Sequence, residues 1–116
     1  MKAFIKKSEN NVVIINLKGE VDFASAEPFH QICMDKLSKK NIVFNLKNLN
    51  FVGSDGLSSF MNTIKDLNTQ STLQFCCVGS EFRRVFAQSE IKDIAIYDDE
   101  QSAVATFQTN EKISFD

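Results

Sequence analysis

The chain has 116 residues, 43% of them hydrophobic and 24% charged, with a formal net charge of −2 at pH 7. That length and balance suit one globular domain with a real hydrophobic core, in which eleven Phe and no Trp make Phe a main filling residue. The charge argues against direct nucleic-acid binding, and apolar runs of only four residues, Val12 to Ile15 among them, argue against membrane insertion.

Lys2 to Lys6 and Asn11 to Lys18 read as two strands joined by the turn Ser8-Glu9-Asn10, the second rich in β-branched residues. Gly19 to Asp22 are expected to break that run, with room for a brief strand or turn. From about Ala24 to Lys39, Phe29, Ile32, Cys33 and Leu37 fall on one face of a helix, with Pro28 suited to its first turn. Asn41 to Leu46 is a buried strand. Leu57, Phe60, Met61, Ile64 and Leu67 mark an amphipathic helix from about Gly56 to Asn68. Leu73 to Val78 is a further strand. Phe82, Val85 and Phe86 define a short helix capped by Ser80, followed by a strand at Ile94 to Tyr97. Ala103, Val104 and Phe107 place a last helix over roughly Asp99 to Gln108. The expected architecture is a single α/β domain over 1–116, with a core of about 2–108 and a C-terminal tail at 109–116. A mixed four- to five-stranded sheet packs with about four helices.

Three cysteines, Cys33, Cys76 and Cys77, lie in apolar segments without metal-ligand spacing and read as buried free thiols of a reducing compartment. Met1 to Lys7 has too short an apolar stretch for a signal peptide, so the expected location is cytoplasmic.

The stretch Asn50 to Phe60, NFVGSDGLSSF, sets a polar Ser-Asp pair between a strand and a helix. Ser54 or Asp55 is placed to cap that helix. Catalysis finds little support. A serine-hydrolase elbow needs glycines two residues either side of the serine, and Val52 occupies one of those positions. His30, the only histidine, sits beside Phe29 on the first helix and reads as solvated rather than as a base. No phosphate-binding loop is present, and no catalytic residue, cofactor or metal site is assigned.

Asn45 to Phe60, NLKNLNFVGSDGLSSF, resembles the signature of STAS-domain proteins, especially bacterial anti-sigma factor antagonists, in which Asp-Ser-Ser/Thr-Gly-Leu opens a helix. Leu17 to Asp22 resembles the family's Gly-Glu-(Leu/Val)-Asp landmark, and Val85-Phe86 with Ser89, after Arg83-Arg84, a weaker third. The likeness runs from about Val12 to Phe107. It implies a protein that binds a partner-switching anti-sigma factor, itself a serine kinase, and so releases a sigma factor. Phosphorylation by that kinase would switch the protein off, and a serine phosphatase would restore it. Carried over by position, the phosphoacceptor is Ser54, and the partner-binding residues are Asp22, Phe23, Gly53, Ser54, Asp55, Gly56 and Ser58. Phe23 and Ser58 are the candidates for exposed contact, and Leu57 belongs to the core. The Asp22 and Ser54 loops are expected side by side.

Gly53 stands where the family usually has Asp, and Asp55 where it has Ser or Thr. Either the acid has moved across the serine, or Asp55 fixes a negative charge at the switch. The second possibility keeps open an alternative role as a non-sigma STAS subunit of a lipid-transport or stressosome-type complex, without phosphorylation. Asp22 also has a plainer reading as a turn or helix cap, and Arg83 and Arg84 as a solvated helix face.

Overall fold

Strands β1 (Lys2–Lys7), β2 (Val12–Val21), β3 (Asn41–Phe51), β4 (Thr72–Cys76) and β5 (Ala95–Tyr97) lie in chain order across one sheet of a computed structural model. The structure describes residues 1–8, 11–51, 54–89, 91 and 94–111. β1 and β2 form an antiparallel hairpin, and β2 to β5 run parallel. Helices α1 (Phe23–Lys36), α2 (Ser54–Asn68) and α3 (Ser80–Gln88) are the crossovers between successive parallel strands, and α4 (Glu100–Glu111) follows β5. Because each crossover steps to the next strand in the same direction, all three helices share one face.

The side-chain alternation of the strands divides the core accordingly. Ile15, Phe44 and Phe75 point toward α1–α3 and pack with Phe29, Cys33, Phe60, Ile64 and Phe82. Val12, Ile14, Val43 and Cys76 point the other way, under Ala103 and Phe107 of α4. Phe29 stacks on Phe60 at 5.4 Å between ring centroids, and Phe44 on Phe75 at 5.2 Å. The expected α/β domain with a mixed sheet and four helices is therefore observed.

Several boundaries differ from the sequence expectations. β2 does not break at Gly19: it continues to Val21, paired with an equally extended β3 out to Phe51. A register shift between Asn16 and Lys18, with Gly19 at φ 107°, absorbs an irregularity, after which the alternation of exposed Glu20 and buried Val21 resumes. α1 starts at Phe23 and ends at Lys36, so Pro28 sits in its second turn, where it withholds one N–H from the helical ladder. Lys39 lies beyond the helix at φ 61°. Ile32 is 39% exposed, because the buried stripe is Phe29 and Cys33 of α1 and its C-cap Leu37, spaced by four, and Ile32 is rotated off it. Leu57 and Met61 are half-buried at the core margin. Ser80 is the first residue of α3 rather than its cap. The cap position is Gly79, with no side-chain hydrogen bond. β4 ends at Cys76, and Cys77, at φ 58°, is half-buried rather than buried. α4 reaches Glu111, so 109–111 are helical; the remainder of the expected tail lies outside the described residues.

Candidate functional site

α1 and α2 begin close together, beside the carboxyl end of β2. Asp22 is the N-cap of α1, extended at φ −129° and ψ 174°. Its Oδ1 accepts a hydrogen bond from the Ser25 N–H at 2.9 Å, while Ser25 Oγ accepts from the Asp22 N–H at 3.3 Å. This reciprocal capping box satisfies two backbone donors at the helix start and fixes where α1 leaves the sheet. The Ser25 hydroxyl, and then its backbone N–H, hold the Asp22 carboxyl below its ordinary pKa. Of the two plain readings of Asp22, the helix cap is the one observed.

Gly56, in the first turn of α2, seats that helix against the start of α1. A β-carbon at that position would stand 2.8 Å from Asp22 Cα and 2.9 Å from both the Asp22 carbonyl carbon and the Val21 carbonyl oxygen. Only a residue without a side chain allows α2 to enter so near α1. The sequence flagged Gly56 as part of a motif but not this contact, which joins residues remote in the chain. Gly56 is itself buried, so its part in the surface is to set the spacing of its neighbours.

Ser54 is the first residue of α2, and Asp55, the second, is exposed. A carboxylate in the first turn is favourable, because the helix presents unpaired N–H groups and the positive end of its dipole there. Gly53 lies outside the described residues. Ser58 is exposed one turn farther along α2. Phe23, the first residue of α1, is 68% exposed, an apolar ring held in solvent beside the capping box. Thus Asp22, Phe23, Asp55 and Gly56 come together where α1 and α2 begin.

Two grooves flank α2. One, of about 400 Å³, runs between α1 and α2 from Phe23 past Ala26, Glu27, Ser59 and Asn62 to His30 and Asp66. At its far end His30 Nε2 lies 3.4 Å from Asp66 Oδ2, tying the helices across the surface. The single histidine therefore has a partner on α2, which its place in the sequence did not reveal. The other groove, of about 310 Å³, lies between α2 and α3 and is lined by Leu57, Ser58, Met61, Val85 and Gln88 among others. Arg83 is not a purely solvated residue: its Nε donates to the Val78 carbonyl at 3.1 Å, and its guanidinium lies 3.7 Å from Asp98. Arg84 is exposed. Among the described residues, no group of three or more His, Cys, Asp or Glu side chains is placed to hold a metal ion, and no helix is long and apolar enough to cross a membrane.

A singly wound mixed sheet, with α1–α3 as successive crossovers and α2 seated against the start of α1, defines a single α/β domain. The model of the STAS domain matches residues 3–103, and the chain belongs to the STAS domain family. It is 28% identical over 102 residues to the anti-sigma F factor antagonist of Paenibacillus polymyxa, covering 84% of this chain and 87% of that one. The fold is similar to that of an anti-sigma factor antagonist from Mycobacterium paratuberculosis, with a TM-score of 0.69 and 18% identity over 92% of this chain and 93% of that one. It is also similar to the Bacillus cell fate determinant SpoIIAA in its phosphorylated form, with a TM-score of 0.63 and 18% identity over 91% of this chain and 99% of the other.

Proposed function

We propose that this protein is an anti-sigma factor antagonist: it binds an anti-sigma factor kinase through the surface where α1 and α2 begin, and so releases a sigma factor. The observation that carries the reading is the close approach of Gly56 to Asp22, which makes one surface of the two family landmarks and leaves Phe23 and Asp55 exposed on it. The similarity to the Paenibacillus polymyxa antagonist over most of both chains supports it. An exposed aromatic ring beside small polar residues is a suitable anchor for a protein partner.

Phosphorylation of Ser54 by the kinase switches binding off in this reading, and a serine phosphatase reverses it. Ser54 begins α2, where unpaired N–H groups and the helix dipole favour added negative charge, so the modified protein can keep its fold while its surface changes. The protein itself acts by binding and carries no catalytic role.

A second reading rests on Asp55, whose exposed carboxylate already charges the first turn of α2. Here the chain is a non-sigma STAS subunit bound without phosphorylation. One experiment separates the two. Incubation with a candidate anti-sigma factor kinase, ATP and Mg²⁺ should place one phosphate on Ser54, located by peptide mapping, and the product should lose affinity for that kinase. A protein that neither binds the kinase nor is modified by it supports the second reading. Modification at Ser58 or Ser59 with Ser54 untouched overturns the assignment of the acceptor.

A further inference from the structure

We infer that the outer edge of β1 is a second docking site, which takes an extended acidic segment of a partner protein as an added strand. β1 ends the sheet, and all six of its residues are exposed. Phe4 and Ile5, 54% and 47% exposed, are two of the four large apolar side chains left in solvent among the described residues.

The register shows how these side chains are arranged. Ile5 pairs with Ile15 and Lys7 with Val13, so both share the face covered by α1–α3. Phe4 pairs with Asn16, Lys6 with Ile14 and Lys2 with Lys18, so these share the face of α4. Each face of the edge thus offers one apolar anchor and at least one ammonium group. Between Lys2 and Val21 the sequence carries Lys2, Lys6, Lys7 and Lys18 against Glu9 and Glu20, in a chain whose net charge is −2.

This pattern selects the occupant. Antiparallel pairing of two β1 strands centred on Phe4 sets Lys2 opposite Lys6, and centring between Phe4 and Ile5 sets Lys2 opposite Lys7. Parallel in-register pairing stacks each lysine on its copy. Like charges directly opposed disfavour each of these arrangements, and antiparallel pairing centred on Ile5 sets Phe4 opposite Lys6 and leaves the lysines unneutralised. A flat anionic membrane could meet the lysines of one sheet face but not those of both. An added strand reaches both faces, with main-chain hydrogen bonds supplying affinity and alternate side chains supplying selectivity. Acidic residues on that strand neutralise the lysines, and its apolar residues cover Phe4 and Ile5.

The test offers the full-length protein a displayed library of random peptides of about ten residues, enough to span such an edge. Enriched peptides should alternate Asp or Glu with apolar residues, protect β1 amides from hydrogen exchange, and bind less tightly as salt rises. Joint replacement Lys2→Glu, Lys6→Glu and Lys7→Glu should weaken these peptides about tenfold or more and enrich basic ones instead, a reversal that a merely unfolded variant would not give. Phe4→Ser should weaken acidic peptides without reversing the preference. Enrichment of peptides without acids, protection confined to α1 and α2, self-association through β1, or lysine-dependent binding to vesicles of anionic phospholipid in place of peptides would overturn the proposal. Each readout is independent of Ser54 and of the anti-sigma partner.

Discussion

Gly56 of α2 rests against the backbone of Asp22, the cap of α1, so closely that a β-carbon would lie 2.8 Å from Asp22 Cα. The obstructing atoms are main chain, held by the β2–β3 ladder at Val21 and by the capping box at Ser25, and cannot swing aside as a flexible side chain could. Gly56→Ala should therefore destabilise the fold by about 1–3 kcal/mol, the usual range for overpacking a close contact. Denaturant unfolding measures this directly. Affinity for the partner should also fall, because α2 must back away from α1 to admit the methyl group. Unchanged stability would mean that Gly56 is not seated against Asp22.

The same contact depends on Asp22 as a carboxylate. Hydrogen bonds from Ser25 lower its pKa in the folded protein below the ordinary 3.8. A depressed folded pKa gives stability that is present above the unfolded value and lost as pH falls through the folded one. Thermal midpoints of the native protein should thus drop in a window that starts near 3.8 and extends below it. Asp22→Asn should remove this part of the acid dependence. A residual loss should persist from Asp99, whose carboxylate is held low in the same way by Ser102.

Phe60 links the two helices of the site to the core. It is 1% exposed, stacks on Phe29 at 5.4 Å, and meets Phe82 of α3 at 5.8 Å. Phe60→Ala should cost about 3–5 kcal/mol, as for other large aromatic truncations in packed cores. Calorimetric or chemical unfolding checks the value, and a loss below about 1 kcal/mol would contradict the burial.

The fold was legible where the pattern was local. Phe60, Ile64 and Leu67 repeat at helical spacing, and each is buried as their period requires. The extension of β2 and β3 was not, because Gly19 and the polar Lys47, Asn48 and Asn50 look like loop until each strand becomes the other's hydrogen-bonding partner. Ile32 shows the limit of periodicity, since a helix face wide enough to include it on paper is narrower once the sheet selects Phe29, Cys33 and Leu37. At the site, Asp22 and Ser54 were legible as motif landmarks. The tight seat of Gly56 and the His30–Asp66 pair join residues more than thirty positions apart and arise only from helix packing.

The cysteines provide a test of the core independent of any partner. Burial pushes the Cys33 thiol up to about 12, and burial with the neighbouring Cys77 does the same for Cys76. Since the thiolate is the reactive form, both should resist alkylation in the native protein. Cys77, half-buried with its Sγ 3.5 Å from the Asp98 carbonyl, should be modified first. Iodoacetamide labelling followed by peptide mapping should give one fast site at Cys77 and two that react only on unfolding. Fast labelling of Cys33 would show that α1 is not seated on the sheet.

The proposed switch makes the most demanding prediction. If the surface at the start of α2 packs on a partner, a phosphate on Ser54 brings charge and bulk to an interface formed around a small hydroxyl. Desolvating that charge, or opening the contact to keep it wet, weakens binding unless a partner cation neutralises it. A loss of about 2–4 kcal/mol corresponds to roughly thirty- to a thousand-fold in affinity. Ser54→Ala should bind nearly as well as the unmodified protein and resist the kinase, whereas Ser54→Asp should bind more weakly. A single carboxylate carries less charge than the roughly −1.5 to −2 of a phosphate, so Ser54→Asp should fall between the unmodified and phosphorylated forms. Asp55→Ser restores the usual family residue and removes the exposed carboxylate beside Ser54; it should preserve binding. Calorimetric titration of each form against the purified anti-sigma factor provides the comparison, with melting curves confirming that every variant is folded. Equal affinities for Ser54→Ala, Ser54→Asp and the phosphorylated protein would remove Ser54 as the switch while leaving the joined Asp22 and Gly56 surface intact.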